Sequence, residues 1–324
     1  MTRRKVALEV DEDLSDLIKE FLRNSNLKKD ESHTIEEALG IVLNQMKAVG
    51  MRTRTIEDYQ LQVNHFADVT SVEMLQDVTA EHIYEWLASM NVNNQTKLTR
   101  LKCLKAFLSR CLDNGWVKSR FWAHIKIKVD SSLKEGANEK DIMELLSYLD
   151  LSRFIQLRDA AAILLMFQTG IRIGTLGEMK ESDVYLKEGV IKLQGEIIKN
   201  HKPIVLPFDD TLKKLFDVLI RQNQLVREEY NVSNDYLFIT QYGDKIASGK
   251  NNGIKRRLYK YSRDYNLENI SPHAIRRGFA RRLLDKGADV VLISKALGHS
   301  GLDVTTRYLH MNTEEVSNRL RDYL

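Results

Sequence analysis

The sequence predicts a mostly α-helical protein with a small β-sheet, an α+β fold arranged in two domains. Three observations lead to this prediction. Apolar residues recur at helical spacing through most of the 324 residues. Two short apolar stretches, GVIKLQG at 189–195 and KPIVLPF at 202–208, flank a turn and predict a β-hairpin. A polar stretch at 129–139, VDSSLKEGANE, interrupts the periodicity and marks a domain boundary.

The part before this boundary is predicted to be all helical. Thr34 and Glu37 have the spacing of a capping box, and Gly50 is predicted to end the same helix. Asn94 or Thr96 is the predicted cap of the last helix in this part, and Gly115 its predicted end. The helices predicted from apolar spacing cover 11–24, 34–50, 54–69, 79–90 and 94–115.

The part after the boundary is predicted to be helical around the hairpin. Its predicted helices cover 139–150, 157–169, 210–228, 249–265, 273–286, 289–297 and 313–323. The resulting organisation has four segments. They are a helical extension at 1–47, a helical domain at 48–130, a linker at 131–138 and a larger domain at 139–324.

Composition excludes several classes of protein. The chain is 43% hydrophobic and 29% charged, which is typical of a globular protein. No stretch reaches the roughly 20 apolar residues that a membrane-spanning helix needs, and no apolar run follows the basic start, so we expect no signal peptide. Cys103 and Cys111 fit neither a disulfide framework nor a zinc site. We therefore expect a reducing, cytoplasmic setting without a membrane partner.

The positive charge is concentrated in two regions, although the net charge is only +4. Residues 93–128 carry nine basic residues against one acid, and residues 251–286 carry ten against three. Two basic surfaces in different domains favour a polyanion such as DNA as the partner. The candidate DNA contacts are Lys97, Arg100, Lys102, Lys105, Arg277 and Arg281.

Four separated segments carry residues suited to phosphate chemistry. QTGIRIGTL at 168–176 holds Arg172 after Gly170, and the hairpin turn holds Lys199 and Lys202. SPHAIRRGFARRLL at 271–284 places His273 and Arg276 on one helix face. LGHSGLDVTTRYLH at 297–310 separates His299 and Tyr308 by nine residues. Each feature alone has an ordinary structural explanation, such as a helix cap or packing.

Together, the four segments resemble the active site of the tyrosine recombinase and phage integrase family, and the similarity covers residues 34–324. The resemblance implies that Tyr308 is the nucleophile and forms a 3′-phosphotyrosyl link. It implies that Lys199, with Lys202 as the alternative, protonates the 5′-oxygen leaving group. His273 would assist proton movement at Tyr308, and His299 would add a hydrogen bond to the phosphate.

The chemistry explains these residue types. A phosphodiester attacked in line develops charge on its non-bridging oxygens, so positioning and charge stabilisation dominate catalysis. Arg172 and Arg276 can each contact the scissile phosphate in a bidentate manner, which lysine cannot do. The sequence shows no acidic cluster suited to a two-metal site, so we expect neither a metal nor a cofactor.

The resemblance also implies how DNA would be held. Residues 48–128 are similar to the family's core-binding domain, with the basic helix 94–113 in a major groove. The two domains would form a C-shaped clamp on duplex DNA. The helix at 313–323 would pack on a neighbouring protomer, so we expect self-association on DNA. Residues 1–33 lie outside the resemblance and are interpreted as a packing or dimerisation extension.

Three departures from the family pattern bear on function. Thr175 stands where the family has an acid that orients the first arginine, and Arg277 replaces a frequent histidine. The hairpin is about three residues longer than usual and lacks the G-K-G turn. These departures, together with a similarity to integrase-fold phage repressors, narrowly favour a prophage transcriptional repressor without strand exchange. The alternative is an active site-specific recombinase. Either protein would be bacterial or phage-encoded and would lie on the nucleoid.

Overall fold

The computed structural model describes residues 32–129, 134–197, 202–247, 249, 251–299, 301–306, 308–309 and 321. The predicted helix at 11–24, Lys199 and almost all of the predicted helix at 313–323 lie outside the described residues. The described residues are mostly helical, with a three-stranded antiparallel sheet. The predicted fold class is therefore confirmed.

The chain divides into two compact units between Ser131 and Ser132. This division falls within the polar stretch at 129–139 that interrupts the apolar periodicity of the sequence. The two units are described separately below.

The first unit is a helical bundle. Its helices are α1 (Ile35–Ala48), α2 (Thr53–Thr70), α3 (Ala80–Ser89) and α4 (Asn94–Asp113). Each matches a helix that apolar spacing predicts. The predicted capping box is confirmed, because the Thr34 hydroxyl accepts from the Glu37 amide at 3.1 Å and the Glu37 carboxylate accepts from the Thr34 amide at 2.9 Å.

The N-cap predicted for α4 is wrong, because the structure places the cap before both predicted residues. Neither Asn94 nor Thr96 caps this helix. Instead, the Asn93 side chain accepts from the Thr96 amide at 2.8 Å. Gly115 follows the helix with a φ of 81°, a left-handed conformation that glycine adopts without strain, as expected for the residue that ends a helix.

One face of α4 is buried and the other carries positive charge. The buried side chains are Leu101, Leu104, Phe107, Leu108 and Cys111. They pack into a core that includes the fully buried Trp86, whose indole donates to His65 at 2.7 Å. Burial raises the pKa of Cys111 to about 12, so its thiol stays protonated. Both cysteines are free.

The second unit combines eight helices and three strands among its described residues. The elements are α5 (Glu139–Ser147), α6 (Phe154–Thr169), α7 (Ile173–Leu176), β1 (Val184–Tyr185), β2 (Val190–Leu193), β3 (Ile204–Pro207), α8 (Asp210–Tyr230), α9 (Gly253–Asp264), α10 (Pro272–Asp285), α11 (Val290–Leu297) and α12 (Leu302–Thr306). The predicted hairpin is confirmed, since β2 and β3 pair antiparallel with Leu193 opposite Ile204. The short elements α7, α12 and β1 were not predicted, because two to five residues carry no readable periodicity.

Helix α6 is the centre of the second unit. Nearly every side chain from Leu157 to Phe167 is buried, which fits a sequence that is apolar on all sides. The helix packs against α8, α9 and α10. It therefore fixes the position of α10, which carries two of the predicted site residues.

A buried ionic network ties α6 to α9. The Asp159 carboxylate is fully buried and accepts from Arg158 at 2.7 Å and from the Tyr261 hydroxyl at 2.9 Å. Arg257 of α9 also donates to it. A buried carboxylate with several charged and polar donors avoids the cost of an unpaired charge. The network holds the basic helix α9 in place against the core.

Residues 135–137, near the start of the second unit, pack tightly on α10. The Ala137 amide donates to the Ala274 carbonyl at 2.8 Å, and Arg277 donates to the Glu135 carbonyl at 2.9 Å. Gly136 and Gly278 allow this approach. A Cβ on Gly278 would lie 2.4 Å from the Ala137 carbonyl oxygen. Only glycine fits at this contact.

We expect Gly278→Ala to lower the free energy of unfolding by about 1–3 kcal/mol, because the added methyl group overlaps backbone atoms that cannot move freely. Urea unfolding followed by circular dichroism measures this change. Gly253→Ala is the matched control in the same unit, since its Cβ would meet no atom within 4 Å. The control should be neutral or stabilising by up to about 1 kcal/mol. Equal stability of the two variants would contradict the close contact.

Candidate active site

The end of α6 places Arg172. Gly170 ends this helix with a φ of 63°, as the sequence predicts, and the chain turns at once into the short helix α7. Arg172 is the N-terminal flanking residue of α7 and is partly buried. The two helix ends therefore hold Arg172 in a fixed backbone position.

Helix α10 places His273 and Arg276. Ser271 caps the helix by accepting from the Ala274 amide at 3.2 Å, and Pro272 occupies the first turn. His273 lies at the surface, whereas Arg276 is only 3% exposed. Arg276 points inward and donates to the carbonyl oxygens of Gly170 and Leu297.

Both arginines donate hydrogen bonds to the C-terminus of α11. The Leu297 carbonyl accepts from Arg276 and, at 3.4 Å, from Arg172. The Gly298 carbonyl accepts from Arg172 at 3.4 Å as well. Carbonyls in the last turn of a helix lack partners within the helix and carry its negative end charge. They are therefore suitable acceptors for two cations.

The carbonyl contacts of Arg172 replace those of the acid that the family has at position 175 and that this chain lacks. Thr175 is 7% exposed and its amide donates to the Arg172 carbonyl at 2.9 Å, which is a contact within α7. The Arg172 guanidinium instead takes its orientation from the carbonyls of Leu297 and Gly298. Helix-end oxygens thus hold Arg172 in a chain that has a threonine in place of the acid.

His299 and Tyr308 lie side by side just beyond α11. Their ring centroids are 5.3 Å apart in an edge-to-face arrangement. The Nδ1 atom of His299 lies 2.7 Å from the Thr305 hydroxyl, and the Tyr308 amide donates to the Thr305 carbonyl at 2.8 Å. Tyr308 is partly buried against a small apolar cluster that includes Phe279 and Leu309.

Three arginines, Arg172, Arg276 and Arg277, interact electrostatically with Tyr308. Burial and the neighbouring Arg172 lower the pKa of Arg276. Tyr308 raises it, both by its charge and by a hydrogen bond, but does not cancel the lowering. Burial also lowers the pKa of Arg172 and Arg277, with Tyr308 again acting in the opposite direction. All three remain cationic at neutral pH because the ordinary arginine pKa is so high.

The same cations affect His273. The largest cause of its lowered pKa is partial burial. Smaller contributions come from the like charges of Arg277, Arg276, Lys255 and Arg172. Both effects favour the uncharged imidazole, which is the form that can accept a proton.

The structure brings together four of the six predicted catalytic residues, with His273 at the edge of the group. Arg172, Arg276, His299 and Tyr308 are joined by the contacts described above. Lys199 lies outside the described residues, so its proposed role stays a prediction. Lys202, the alternative lysine, is exposed two residues before β3.

The predicted DNA contacts occupy two helices. On α4, Lys102 is exposed, whereas Lys97, Arg100 and Lys105 are partly buried. The Lys105 ammonium donates to the Ile125 carbonyl at 2.6 Å, and burial together with Lys126 lowers its pKa. On α10, Arg277 donates to the Glu135 carbonyl, and Arg281 pairs with Asp285 at 2.9 Å.

Sequence reasoning missed three features of the site. The Leu297 and Gly298 carbonyls could not be found, because backbone acceptors leave no mark on residue identity. Lys255 lies close enough to His273 to lower its pKa, but it was interpreted only as part of a basic surface. Thr305 stands three residues before Tyr308, but a threonine in a short helical segment carries no sequence signal of a contact to His299.

Within the described residues, His, Cys, Asp and Glu side chains form no group of three or more that is suited to a metal ion. Among the same residues, every helix is too short or too polar to cross a bilayer.

The helical fold and the arrangement of arginine, histidine and tyrosine side chains define a tyrosine recombinase type of domain. The sequence model of the phage integrase family matches residues 136–315, and the chain belongs to that family. It is 28% identical over 284 residues to the tyrosine recombinase XerC of Thermodesulfovibrio yellowstonii, covering 85% of this chain and 91% of the relative. It is 25% identical over 271 residues to XerD of Listeria innocua, covering 81% and 89%.

Solved structures show the same fold. The Tn1549 transposon integrase in complex with a circular intermediate DNA superposes with a TM-score of 0.69 at 16% identity, covering 90% of this chain and 100% of the other. A lambda integrase dimer bound to a COC′ core site superposes with a TM-score of 0.66 at 17% identity, covering 92% and 85%. These likenesses agree with the predicted fold class.

We expect the pKa of His273 to lie below its ordinary value of 6.5 in a titration followed by NMR of the imidazole signals. Arg277→Ala should raise it, because removing a neighbouring positive charge makes the imidazolium easier to form. Arg281→Ala is the matched control on the same helix and should leave the pKa of His273 unchanged. A His273 pKa at or above the ordinary value, or one unaffected by Arg277→Ala, would contradict the cationic surroundings.

Proposed function

We propose that this chain is a site-specific tyrosine recombinase that acts on double-stranded DNA, with Tyr308 as its nucleophile. One observation carries the proposal. Arg172 and Arg276 share the Leu297 carbonyl and both lie beside Tyr308, with His299 at 5.3 Å from the phenol ring. Two paired guanidiniums next to a phenol form a binding site for a phosphodiester and a nucleophile to attack it.

The reaction follows from these positions. Arg172 and Arg276 bind the non-bridging oxygens of the scissile phosphate and stabilise the charge that develops there. The Tyr308 oxygen attacks phosphorus in line, forming the tyrosyl–phosphorus bond as the bond to the 5′-oxygen breaks. Uncharged His273 assists removal of the phenol proton, and Lys199 supplies a proton to the 5′-oxygen. The 3′-phosphotyrosyl link preserves a bond that a second 5′-hydroxyl can attack.

Binding to duplex DNA is supported by the charged surfaces and by the structural neighbours. The exposed face of α4 carries Lys102, and α10 presents Arg277 and Arg281 beside the candidate site. Charges of this kind bind phosphate and supply much of the affinity for nucleic acid. The Tn1549 integrase and the lambda integrase were both solved in complexes with DNA. We further propose that copies of this chain associate on DNA in the cytoplasm.

The narrower alternative is a prophage repressor without strand exchange. It rests on departures from the family pattern, chiefly Thr175, and on the resemblance to integrase-fold phage repressors proposed from the sequence. The relatives reported above are recombinases, and they favour the enzyme over the repressor. The helix-end carbonyls that hold Arg172 also weaken the argument from Thr175. The recombinase is therefore the better supported function.

The experiment uses the DNA that the protein selects. The preferred duplex is recovered from a random pool, nicked near its centre as a suicide substrate, and incubated with the full chain. We expect an SDS-resistant adduct with wild-type protein and none with Tyr308→Phe, which lacks the nucleophilic oxygen. Arg276→Lys is a second variant that keeps the charge but loses bidentate contact, and we expect it to slow adduct formation by at least about 100-fold.

The other outcomes identify different proteins. Specific binding with no adduct would overturn the recombinase and support the repressor. An adduct that persists in Tyr308→Phe would place the nucleophile elsewhere. Absence of sequence-specific binding would contradict both functions.

A further inference from the structure

Thr305 contacts both His299 and Tyr308. Its side chain is fully buried within α12, and its hydroxyl lies 2.7 Å from His299 Nδ1. Its carbonyl accepts from the Tyr308 amide at 2.8 Å. One residue thus holds the imidazole by its side chain and the phenol-bearing residue by its backbone.

Other helical threonines among the described residues donate their hydroxyls to a carbonyl of their own helix. Thr169 donates to the Leu165 carbonyl at 2.6 Å, and the partly buried Thr70 donates to the Phe66 carbonyl at 2.9 Å. This contact four residues back is the usual one for a helical threonine. The Thr305 hydroxyl instead contacts an imidazole six residues earlier in the chain. The Thr305 contact therefore joins two side chains, whereas the usual threonine contact joins a side chain to the backbone of the same helix.

His299 is fixed from a second direction. Its amide donates to the Ser294 carbonyl at 3.0 Å in the last turn of α11. The same helix end supplies the Leu297 carbonyl that accepts from Arg172 and Arg276. The backbone of His299 therefore belongs to the arginine-binding helix end, and its ring is held by Thr305.

We propose that Thr305 is a positioning residue that donates its hydroxyl hydrogen to His299 Nδ1 and so places the imidazole proton on Nε2. The proposal rests on the recombinase function, in which His299 donates a hydrogen bond to the scissile phosphate. A neutral imidazole has one donor and one acceptor nitrogen, and the bond made by one nitrogen sets the state of the other. With Nδ1 accepting, Nε2 is the donor.

Thr305 also fixes the position of Tyr308, the proposed nucleophile, relative to His299. The backbone bond from Tyr308 to Thr305 and the side-chain contact to His299 lie on one residue, so the two rings share one support. Loss of the hydroxyl should therefore slow cleavage without weakening DNA binding, because the arginines that bind phosphate are held by other atoms.

The first test compares Thr305→Val with Thr305→Ser in the full chain on the nicked substrate. Valine keeps the branched shape and removes the hydroxyl, and serine keeps the hydroxyl. We expect valine to lower the rate constant for adduct formation about tenfold, as loss of an orienting partner does at other sites, with the Kd for DNA unchanged within about twofold. Serine should restore most of the rate. Equal rates for the two variants would overturn the proposal.

A double-mutant cycle shows whether Thr305 acts through His299. His299→Ala combined with Thr305→Val should be no slower than His299→Ala alone, because the hydroxyl then has no ring to orient. Additive losses would show that Thr305 acts independently, and would overturn the proposal.

NMR of the imidazole nitrogens gives a readout that does not require cleavage. We expect His299 to carry its proton on Nε2 in the wild-type chain and in Thr305→Ser, and to lose this preference in Thr305→Val. His299→Ala assigns the signal. A proton on Nδ1 in the wild-type chain, or an unchanged state in Thr305→Val, would overturn the proposal. If no adduct forms with the wild-type chain, the recombinase function fails, while the NMR result still decides the role of Thr305.

Discussion

The shared hydrogen bonds of two arginines to the C-terminus of α11 are the contact on which the candidate site depends. Arg276 is almost fully buried, and a buried charge costs several kcal/mol unless it is hydrogen-bonded. Gly170 and Leu297 supply carbonyl oxygens to it, and Leu297 and Gly298 supply them to Arg172. These oxygens are available because α6 and α11 both end here, each with a glycine in the left-handed conformation.

Carbonyl oxygens orient a guanidinium without cancelling its charge. A carboxylate partner would neutralise much of the positive charge, whereas these acceptors leave Arg172 and Arg276 available for an anion. Partial burial and, after it, the positive charge of these arginines lower the pKa of His273, and Arg276 also interacts with Tyr308 through charge and a hydrogen bond. The same helix end holds the backbone of His299. A single backbone feature therefore connects the two arginines proposed to bind phosphate with the residues proposed as proton acceptor and nucleophile.

Sequence alone predicted the long elements and the residue types of the site, and tertiary contacts decided the rest. The capping box at Thr34 and the hairpin around β2 and β3 are local patterns, so they could be predicted. The cap of α4 was assigned to Asn94 or Thr96 because several polar residues there satisfy the same rule, and only the structure selects Asn93. Thr175, in place of the family's acid, removes the expected partner of Arg172 and therefore favours a repressor on sequence grounds. The oxygens that hold Arg172 lie 125 and 126 residues further along the chain, where no sequence rule connects them to it.

The most direct test of this account is a crystal structure of Tyr308→Phe bound to the duplex that the protein selects. The account predicts that Arg172 and Arg276 both donate to non-bridging oxygens of one phosphate while each keeps its bond to the Leu297 carbonyl, with the edge of the substituted aromatic ring facing that phosphorus. Guanidiniums that contact different phosphates, or that leave the Leu297 carbonyl when DNA binds, would contradict the claim that the end of α11 organises the site.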